Sequence, residues 1–405
     1  MPSHSGLAAL AEGAILSPFT QLRRLLDGIE PGHAKPIDLT IGEPREAMPP
    51  FVAAKLMEAV ADYGRYPPIR GTQALRSAIA AWAGRRYGAA ATPDATREVL
   101  ALNGSREGLF LAALPAAGRK RVKGRAAVLM CNPYYSAYIG GALAVDAEPV
   151  YLDATAATGH LPDLEAIATD TALLDRTVAL YLCSPANPQG AVASKAYIAR
   201  ALELARAHDF MLFFDECYSE IYTEEPPPGA LAVAAASPER FRNLVVFNSL
   251  SKRSNLPGLR SGFCAGDAHF LETFAEIRNM VAPQVPGPTQ HVSAAVWGDE
   301  DHVAANRSAY RAKFGVCDRV LGSRYGYRRP AGGFCLWLDV STFGGASDAA
   351  VTLWKRGGVK VLPGAFLAQA GRDGTNPGTG YVRLALVHDA TAIAEALERF
   401  VVVLA

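Results

Sequence analysis

The sequence has no surplus of charge of either sign. Its 405 residues carry 40 lysines and arginines against 39 aspartates and glutamates, which gives a formal net charge of +1 at pH 7. Nucleic acids and anionic membrane surfaces are polyanions, and binding them without sequence preference requires a basic excess. The balance therefore argues against both as partners and favours small-molecule ligands.

The sequence also lacks the cysteine and histidine patterns that hold metals or disulfides. No two of the six cysteines form a Cys-x-x-Cys pair, and the eight histidines contain no His-Glu-x-x-His cluster. Most of the cysteines lie in apolar runs, which is typical of buried free thiols in a reducing compartment. We therefore expect no metal site and no disulfide.

Long apolar segments are absent as well. No uninterrupted run reaches the ~18 residues expected of a membrane helix. Residues 1–26 lack the basic start and sustained apolar core of a signal peptide. These absences predict a cytoplasmic protein without a membrane partner. Half of the residues are nevertheless hydrophobic, so the chain can bury a large core in two interlocked domains.

Apolar runs of strand length alternate with helical stretches through the middle of the chain. Alanine-rich segments such as Lys195–His208 are predicted as helices. The alternation predicts an α/β domain with a mostly parallel central sheet, in which ligands gather beyond the carboxyl ends of the strands. Six runs are predicted as its buried strands: Val99–Leu102, Ala126–Met130, Thr177–Cys183, Met211–Asp215, Leu244–Asn248 and Ser261–Ala265.

The regular alternation of strands and helices ends at about residue 285, where the chain contains the proline- and glycine-rich segment Val285-Pro286-Gly287-Pro288. A smaller α+β domain is expected there, and the first ~40 residues are expected to pack with it. We predict a large domain over residues 45–285 and a small domain formed by residues 1–44 and 286–405. The elements predicted in the C-terminal part are one long helix, two strands and a terminal helix, the first three at Gln290–Leu321, Gly332–Leu338 and Tyr381–Leu386.

Lys252 is the most informative single residue. It follows two small hydroxyl residues, Ser249 and Ser251, and Arg260 lies eight positions further on. Such a lysine can bond covalently to an aldehyde cofactor while the hydroxyls and the guanidinium hold a phosphate, and pyridoxal 5'-phosphate has both groups. The alternative is an exposed lysine in a serine-rich loop.

Asp215 ends a very apolar predicted strand. Burial of an unpaired carboxylate is costly, so this side chain needs a cationic partner. The protonated pyridine nitrogen of the same cofactor would serve and would keep the ring an effective electron sink. Tyr218 could help hold the ring oxygen. Alternatively, Asp215 caps the helix that follows.

Other polar residues follow predicted strands. The segment Asn103–Glu107 opens a helix, and its backbone N–H groups favour a phosphate, unless Ser105 is an ordinary cap. Tyr135 could stack on a flat ring, although a core or rim tyrosine is commoner. Asn187 could donate to a phenolate oxygen, or Asn187-Pro188 could be a plain turn.

Two residues suit a substrate carboxylate. Arg383 lies inside a late apolar strand, and its guanidinium matches a carboxylate in two-point fashion. Half of a structural ion pair is the alternative. Gly42 ends an early strand in a glycine turn, where a backbone N–H could meet the same carboxylate or simply form the turn.

In order along the chain, these segments resemble the class I/II aminotransferases of pyridoxal phosphate fold type I. The motifs are LTIGEP, YPPIRG, NGSRE, NPYY, SPANPQG, DECYSEIY, SLSKRSNLPGLRSG and YVRLAL. The resemblance implies that Lys252 is catalytic: it bonds to the cofactor and moves protons. The cofactor-binding residues that it implies are Gly104, Ser105, Arg106, Tyr135, Asn187, Asp215, Tyr218, Ser249, Ser251, Lys252, Arg260 and Tyr66. The substrate carboxylate would meet Gly42, Asn187 and Arg383.

The resemblance also implies a homodimer with shared active sites. In the family, a tyrosine of an early Tyr-x-x-x-x-Gly segment reaches the phosphate in the neighbouring subunit, and Tyr66 with Gly71 matches that pattern. Two positions depart from the family: Gln189 stands where a threonine is common, and Arg106 stands where glutamine or asparagine is common. The side-chain role of Arg106 is therefore open.

Further short segments, among them Pro18-Phe19-Thr20-Gln21-Leu22 and Asn376-Pro377-Gly378, resemble those of one subgroup of this family. The subgroup is the bacterial N-succinyldiaminopimelate aminotransferases of lysine biosynthesis, which use glutamate as amino donor. The alternatives are an aminotransferase of the same fold acting on aspartate, alanine or another amino acid, and a pyridoxal-phosphate-dependent β-lyase or synthase. A regulator with a degenerate domain of this fold and a cofactor-free binding module are further rivals.

Overall fold

The computed structural model describes residues 8, 15–281, 284–371 and 373–405. Residues 1–7, 9–14, 282, 283 and 372, which fall within the predicted domains, lie outside the described residues. The strands are β1 (Ile37–Asp38), β2 (Val99–Leu102), β3 (Ala127–Asn132), β4 (Glu148–Asp153), β5 (Thr177–Cys183), β6 (Met211–Asp215), β7 (Leu244–Ser249), β8 (Gly262–Gly266), β9 (Cys335–Asp339), β10 (Val359–Lys360), β11 (Leu362–Pro363) and β12 (Tyr381–Ala385).

Helices precede and follow most of these strands. The α-helices are α1 (Pro18–Leu25), α2 (Val52–Glu58), α3 (Gln73–Tyr87), α4 (Ser105–Leu111), α5 (Ala113–Arg119), α6 (Ser136–Ala144), α7 (Leu164–Ala168), α8 (Thr171–Arg176), α9 (Lys195–Ala207), α10 (Ala230–Ala235), α11 (Leu250–Arg253), α12 (Ala268–Val281), α13 (Gly287–Gly298), α14 (Asp301–Leu321), α15 (Ala346–Gly357) and α16 (Ala390–Val403). Among the described residues, no helix is long and apolar enough to cross a membrane.

The central sheet has seven strands in the order β2-β8-β7-β6-β5-β3-β4. Strands β3 to β7 run parallel, and β8 is antiparallel to both β2 and β7. All six predicted strands are present, and the mostly parallel α/β fold is confirmed. Strand β4 was not predicted from the sequence. It lies at the edge of the sheet and is only partly buried, so it lacks a continuous apolar run.

Both faces of the sheet are covered, which explains the apolar runs. In β6 every residue is buried, and successive side chains enter opposite cores. Leu212 and Phe214 pack in one core, and Met211 and Phe213 pack in the other. Because β5, β6 and β7 are parallel, the residues that follow them emerge at one edge, and Asp215 lies there between its register partners Cys183 and Phe247.

The C-terminal part forms a three-stranded antiparallel sheet in the order β11-β12-β9. Its core includes residues of β1, which pairs with β10 in parallel at Ile37↔Val359. The N-terminal segment therefore crosses from this part toward the central sheet. That path carries residues 39–46 past the carboxyl edge of the strands.

The helical stretch predicted from Gln290 to about Leu321 is present, but it is divided into two helices, α13 and α14. The break follows Gly298, and Asp299 adopts an extended conformation. Trp297 of α13 belongs to the core of the central sheet, where its ring lies 4.8 Å from that of Trp82. The domain limits stay a prediction, and we propose that α13 belongs with the large domain.

Candidate active site

Lys252 lies on the short helix α11, immediately beyond β7. The Ser249 hydroxyl caps this helix by accepting the Ser251 N–H at 3.0 Å, and the two serine hydroxyls lie 2.8 Å apart. The Lys252 amine donates to the Gly42 carbonyl and lies 5.4 Å from the centre of the Phe334 ring. Burial lowers the pKa of Lys252 to about 8, so this amine loses its proton far more readily than a surface lysine.

Asp215 ends β6 and is only 6% exposed. Its Oδ2 accepts the Tyr138 hydroxyl at 2.8 Å, and its Oδ1 accepts the Cys217 N–H at 3.1 Å. Burial raises the pKa of Asp215. Within the part of the chain that the structure describes, no lysine, arginine or histidine forms an ion pair with this carboxylate. The site therefore offers a buried acid whose donors are neutral, and an external cation would supply the missing opposite charge.

Asn187, Tyr218 and Arg383 are linked to one another by hydrogen bonds. The Asn187 amide donates to the Tyr218 hydroxyl at 3.4 Å, and Arg383 Nη1 donates to Asn187 Oδ1 at 3.4 Å. Arg383 Nη2 donates to the Thr40 carbonyl at 2.6 Å. Burial raises the pKa of Tyr218 well above its ordinary value, so its hydroxyl keeps its proton and can donate. The late strand β12 and the early N-terminal segment thus meet at Arg383.

The residues predicted for the phosphate converge from three elements. Gly104 has φ +77, a conformation that favours glycine, and a Cβ at this position would lie 2.4 Å from Arg260 Nη2, which shows how closely the guanidinium approaches this backbone. The Arg260 guanidinium donates to the Pro257 and Asn103 carbonyls at 2.9 and 3.2 Å. The Ser105 hydroxyl accepts the Cys217 thiol at 3.0 Å.

The pairing of strands in the sheet brings Ser249 and Ser251 close to Gly104 and Ser105. Ser249 is the register partner of Gly262, and a Cβ on Gly262 would lie 3.2 Å from the Ser105 nitrogen. The backbone beside Ser105 therefore packs against the strand that follows Arg260. This close approach brings hydroxyls, backbone N–H groups and a guanidinium into one cradle, which is the donor set that a phosphate prefers.

Arg106 and Tyr135 contact each other directly. Arg106 Nε donates to the Tyr135 hydroxyl at 2.5 Å, and the guanidinium lies 5.3 Å from the ring centre. Tyr135 in turn lies edge-on to Tyr138, with ring centres 5.7 Å apart. The Arg106 side chain is therefore directed at the tyrosine that is predicted to stack on the cofactor.

Two predicted residues are not brought into this cluster in the expected way. Tyr66 is 98% exposed, so its proposed role needs a second chain and stays a prediction. Gly42 presents its carbonyl to Lys252, whereas the prediction concerned its N–H. The carboxylate role of Gly42 therefore also stays a prediction.

Sequence reasoning missed three groups that line the site: Tyr138, Phe334 and the Cys217 thiol. Tyr138 lies on α6, three residues after Tyr135, which is the N-cap residue of that helix, and the two rings are in contact. That spacing was the available signal for Tyr138. Phe334 and Cys217 carried none, because their contacts with Lys252 and Ser105 join distant segments.

The residues present fit pyridoxal phosphate. A buried acid without a cationic partner suits the ring nitrogen, a largely buried amine with a lowered pKa suits the aldehyde, and the glycine-lined cradle suits the phosphate. The roles of individual residues remain proposals. The carboxyl edge of the sheet supplies most of these groups, as expected for a parallel α/β sheet.

Comparisons with known proteins agree with this reading. A family model described as aminotransferase class I and II matches residues 34–400. An LL-diaminopimelate aminotransferase from Desulforudis audaxviator is 32% identical over 387 residues, which cover 94% of this chain and 93% of the relative.

Solved structures share the fold. A crystal structure of an aminotransferase from Neisseria meningitidis has a TM-score of 0.89 at 36% identity, covering 95% of this chain and 97% of that one. A probable N-succinyldiaminopimelate aminotransferase from Thermus thermophilus has a TM-score of 0.82 at 25% identity, covering 96% and 100%. The predicted fold type I and its cofactor are thereby confirmed, and the chain belongs to the class I and II aminotransferases, which depend on pyridoxal phosphate.

Proposed function

We propose that this transaminase moves an amino group between glutamate (or 2-oxoglutarate) and N-succinyl-LL-2,6-diaminopimelate (or N-succinyl-2-amino-6-ketopimelate), a step of lysine biosynthesis. The observation that carries the transaminase chemistry is the largely buried Lys252 amine near Arg383, at the same edge of the sheet as the buried Asp215. The choice of the succinylated substrate is supported by the short sequence segments that resemble the N-succinyldiaminopimelate aminotransferases and by the similarity to the Thermus thermophilus protein.

Bound pyridoxal phosphate supplies an aldehyde that bonds to amines and a protonated ring that accepts electrons from the substrate α-carbon. Lys252 would hold the cofactor through its aldehyde and, as a neutral amine, would take the substrate's α-proton and give it back. Asp215 would pair with the ring nitrogen, and Asn187 with Tyr218 would donate to the ring oxygen. Arg383 binds the α-carboxylate and exchanges its bond to the Thr40 carbonyl for a two-point ion pair.

A second candidate substrate is LL-diaminopimelate itself. It is favoured by the relative from Desulforudis audaxviator, which is named an LL-diaminopimelate aminotransferase. The two substrates share the reacting end and differ at the distal nitrogen. The succinylated compound has a neutral amide with an added carboxylate there, whereas the free compound has an ammonium group.

Arg45 is the group that we propose for a distal acid. It follows Gly42 by three residues, and its Nη1 lies 3.1 Å from His388 Nδ1 at an exposed position. The Arg45 guanidinium at this location favours the additional carboxylate of the succinylated substrate. Arg45→Ala is expected to raise KM for the succinylated substrate and leave KM for a neutral amino donor unchanged. Equal changes for both would end this assignment.

The chain is also proposed to act as a homodimer. Large apolar side chains close to Tyr66 in the sequence are exposed, namely Met57, Val60 and Tyr63, and so are Met280 and Val281. Exposed apolar side chains of this size suit contact with a second copy of the chain. Mixing Lys252→Ala with Tyr66→Ala protein should restore activity, because one site of each hybrid dimer then has an intact lysine and an intact tyrosine. Failure of every such mixture would argue against shared sites.

An assay of keto-acid acceptors with glutamate as donor tests the proposed function. The succinylated acceptor should give the highest kcat/KM, with 2-oxoglutarate as co-product. A preference for the unsuccinylated acceptor would transfer the assignment to the second candidate. Release of ammonia or a thiol would instead indicate a lyase. Lys252→Ala should lower kcat by at least about 10²–10⁴-fold, the contribution of a positioned acid–base group.

A further inference from the structure

The helix that carries Lys252 is unusually short and needs outside support. Helix α11 has four residues, Leu250–Arg253, so its last carbonyl groups have few partners within the helix. The Asn306 side chain supplies donors from α14: its Nδ2 lies 3.2 Å from the Lys252 carbonyl and 3.3 Å from the Arg253 carbonyl. Asn306 is 5% exposed, so water does not readily replace it.

The chemistry of the two partners fixes the orientation of this amide. Both partners are carbonyl oxygens, which only accept, so the Asn306 side chain must present its nitrogen to them. Its Oδ1 is buried without a hydrogen-bond partner among the described residues. The side chain thus donates to the backbone of Lys252 while its own acceptor stays unsatisfied. An unsatisfied buried acceptor lowers the stability of the fold, so we infer that the position of the Lys252 backbone is what this side chain serves.

The same face of α14 also supports the tip of Lys252. Tyr310, one turn beyond Asn306, stacks on Phe334 with ring centres 5.3 Å apart. The Phe334 ring lies 5.4 Å from the Lys252 amine. Lys313, nearly one turn further, pairs with Glu46 at 2.7 Å and so holds the segment whose Gly42 carbonyl accepts that amine.

The residue after α11 is held by the start of the same helix. The Ser254 hydroxyl lies 2.8 Å from His302 Nε2, and His302 Nδ1 contacts the Asp299 carboxylate. Ser254 is fully buried, so this chain of polar groups is closed to substrate and acts as an anchor. Both the backbone and the amine of Lys252 therefore depend on one helix, and Asn306 makes the direct contact.

We propose that Asn306 is a positioning residue for the transamination: it fixes the backbone of Lys252 so that the amine points at the reacting carbon. The inference rests on the proposed role of Lys252. A displacement of about 1 Å at a reacting group can lower a rate by about 10²-fold. Asn306→Ala should therefore lower kcat by about that factor and change KM by less than about twofold, since substrate contacts remain.

A second readout does not depend on turnover. Apoprotein is incubated with pyridoxal phosphate across a pH series, reduced with borohydride, and the labelled Lys252 peptide is quantified by mass spectrometry. For the wild type, the labelling rate should rise with a midpoint near pH 8. For Asn306→Ala, the rate should fall by about tenfold and its midpoint should move upward, toward an ordinary lysine with a pKa of about 10.4.

Asn376→Ala is the matched control. The Asn376 amide also donates to two backbone carbonyls, those of Ala365 and Ala368, at 3.1 and 3.2 Å. It should lower the melting temperature as Asn306→Ala does and leave the Lys252 labelling profile unchanged. If Asn306→Ala does not fold, Asn306→Ser, which keeps one donor, replaces it and should show the same changes at reduced size.

The outcomes separate the two proposals. Absence of label on Lys252 in the wild type would overturn the proposed function itself. Labelling of wild-type Lys252 together with equal profiles for the Asn306 and Asn376 variants would overturn only the positioning role. A loss of kcat with a shifted labelling midpoint, in the Asn306 variant alone, supports it.

Discussion

Two buried ionisable groups lie at the ends of neighbouring parallel strands, and burial acts on them in opposite directions. Asp215 ends β6, and its pKa is raised; Lys252 follows β7, and its pKa is lowered to about 8. Asp215 accepts from a hydroxyl and an N–H, whereas Lys252 donates to a carbonyl. Desolvation thus drives both groups toward their neutral forms.

In the proposed site, the bound cofactor would affect the two groups differently. A cationic ring nitrogen beside Asp215 would favour the charged carboxylate, so cofactor binding would reverse the effect of burial on the pKa of that group. Lys252 needs the opposite, because only a neutral amine attacks an aldehyde or accepts an α-proton. At pH 7 about a tenth of a lysine with a pKa of about 8 is neutral, against about one in 2500 at the ordinary pKa.

Asp215→Asn should produce the largest effect of the variants considered, a loss of affinity for pyridoxal phosphate. Removing one partner of a buried charged pair costs about 3–5 kcal/mol, so the affinity for pyridoxal phosphate should fall by about 10²–10⁴-fold. The apoprotein should be as stable as the wild type or more so, because a buried carboxyl is no longer desolvated. Cofactor titration and thermal melting measure the two quantities. Asp209→Asn, which alters an exposed pair with Arg119, is the control. Undiminished affinity in the Asp215 variant would break the comparison.

Lys252→Met tests the effect of burial on Lys252 through the free energy of unfolding of the apoprotein. The folded-state pKa of Lys252 is below its unfolded value, so the buried amine destabilises the apoprotein while it is charged. The variant should be more stable by up to about 3 kcal/mol below pH 8. That gain should shrink between about pH 8 and pH 10.5 and vanish above, where both states of the wild type are neutral. Denaturant melts across this range measure it, and a gain independent of pH would show that burial does not perturb this amine.

Tyr138→Phe should have a smaller effect, confined to Asp215. A hydrogen bond to a charged group contributes about 1.5–3 kcal/mol, so the affinity for pyridoxal phosphate should fall by about 10–100-fold. Loss of this donor should also raise the pKa of Asp215 further, which shifts the acidic limb of the pH–rate profile upward.

Tyr181→Phe is the matched control for that variant. Tyr181 stacks beneath Tyr138 with ring centres 4.7 Å apart and donates to the Leu109 carbonyl, not to Asp215. It should lower stability by about 1 kcal/mol and leave cofactor affinity unchanged. Identical affinities for the two variants would mean that Tyr138 acts only through packing.

Much of the fold was predictable because parallel strands covered on both faces must be apolar throughout. Strands β2, β5 and β6 begin and end where the apolar runs predicted. The edge strand β4 was missed because one side of it faces water. The break between α13 and α14 was missed because apolar periodicity continues across Gly298, and tertiary packing decides where the chain turns.

The site divides in the same way. Polar residues at strand ends, such as Asp215 and Asn187, were predictable, since parallel strands deliver their carboxyl ends to one edge. The contact of Tyr138 with Asp215 joins residues 77 positions apart, and that of Lys252 with Gly42 joins residues 210 apart. Local sequence patterns do not contain such pairings. The role of Tyr66 was predicted from the resemblance and stays a prediction, because its proposed partner is a second copy of the chain.

A crystal structure of the protein with pyridoxal phosphate tests the central claim most directly. The account predicts continuous density from the Lys252 amine to the cofactor carbon. It also predicts that the ring nitrogen lies about 2.7–2.9 Å from an Asp215 oxygen, the distance of a charge-assisted hydrogen bond. A cofactor bonded to another lysine, or a ring nitrogen remote from Asp215, would contradict it.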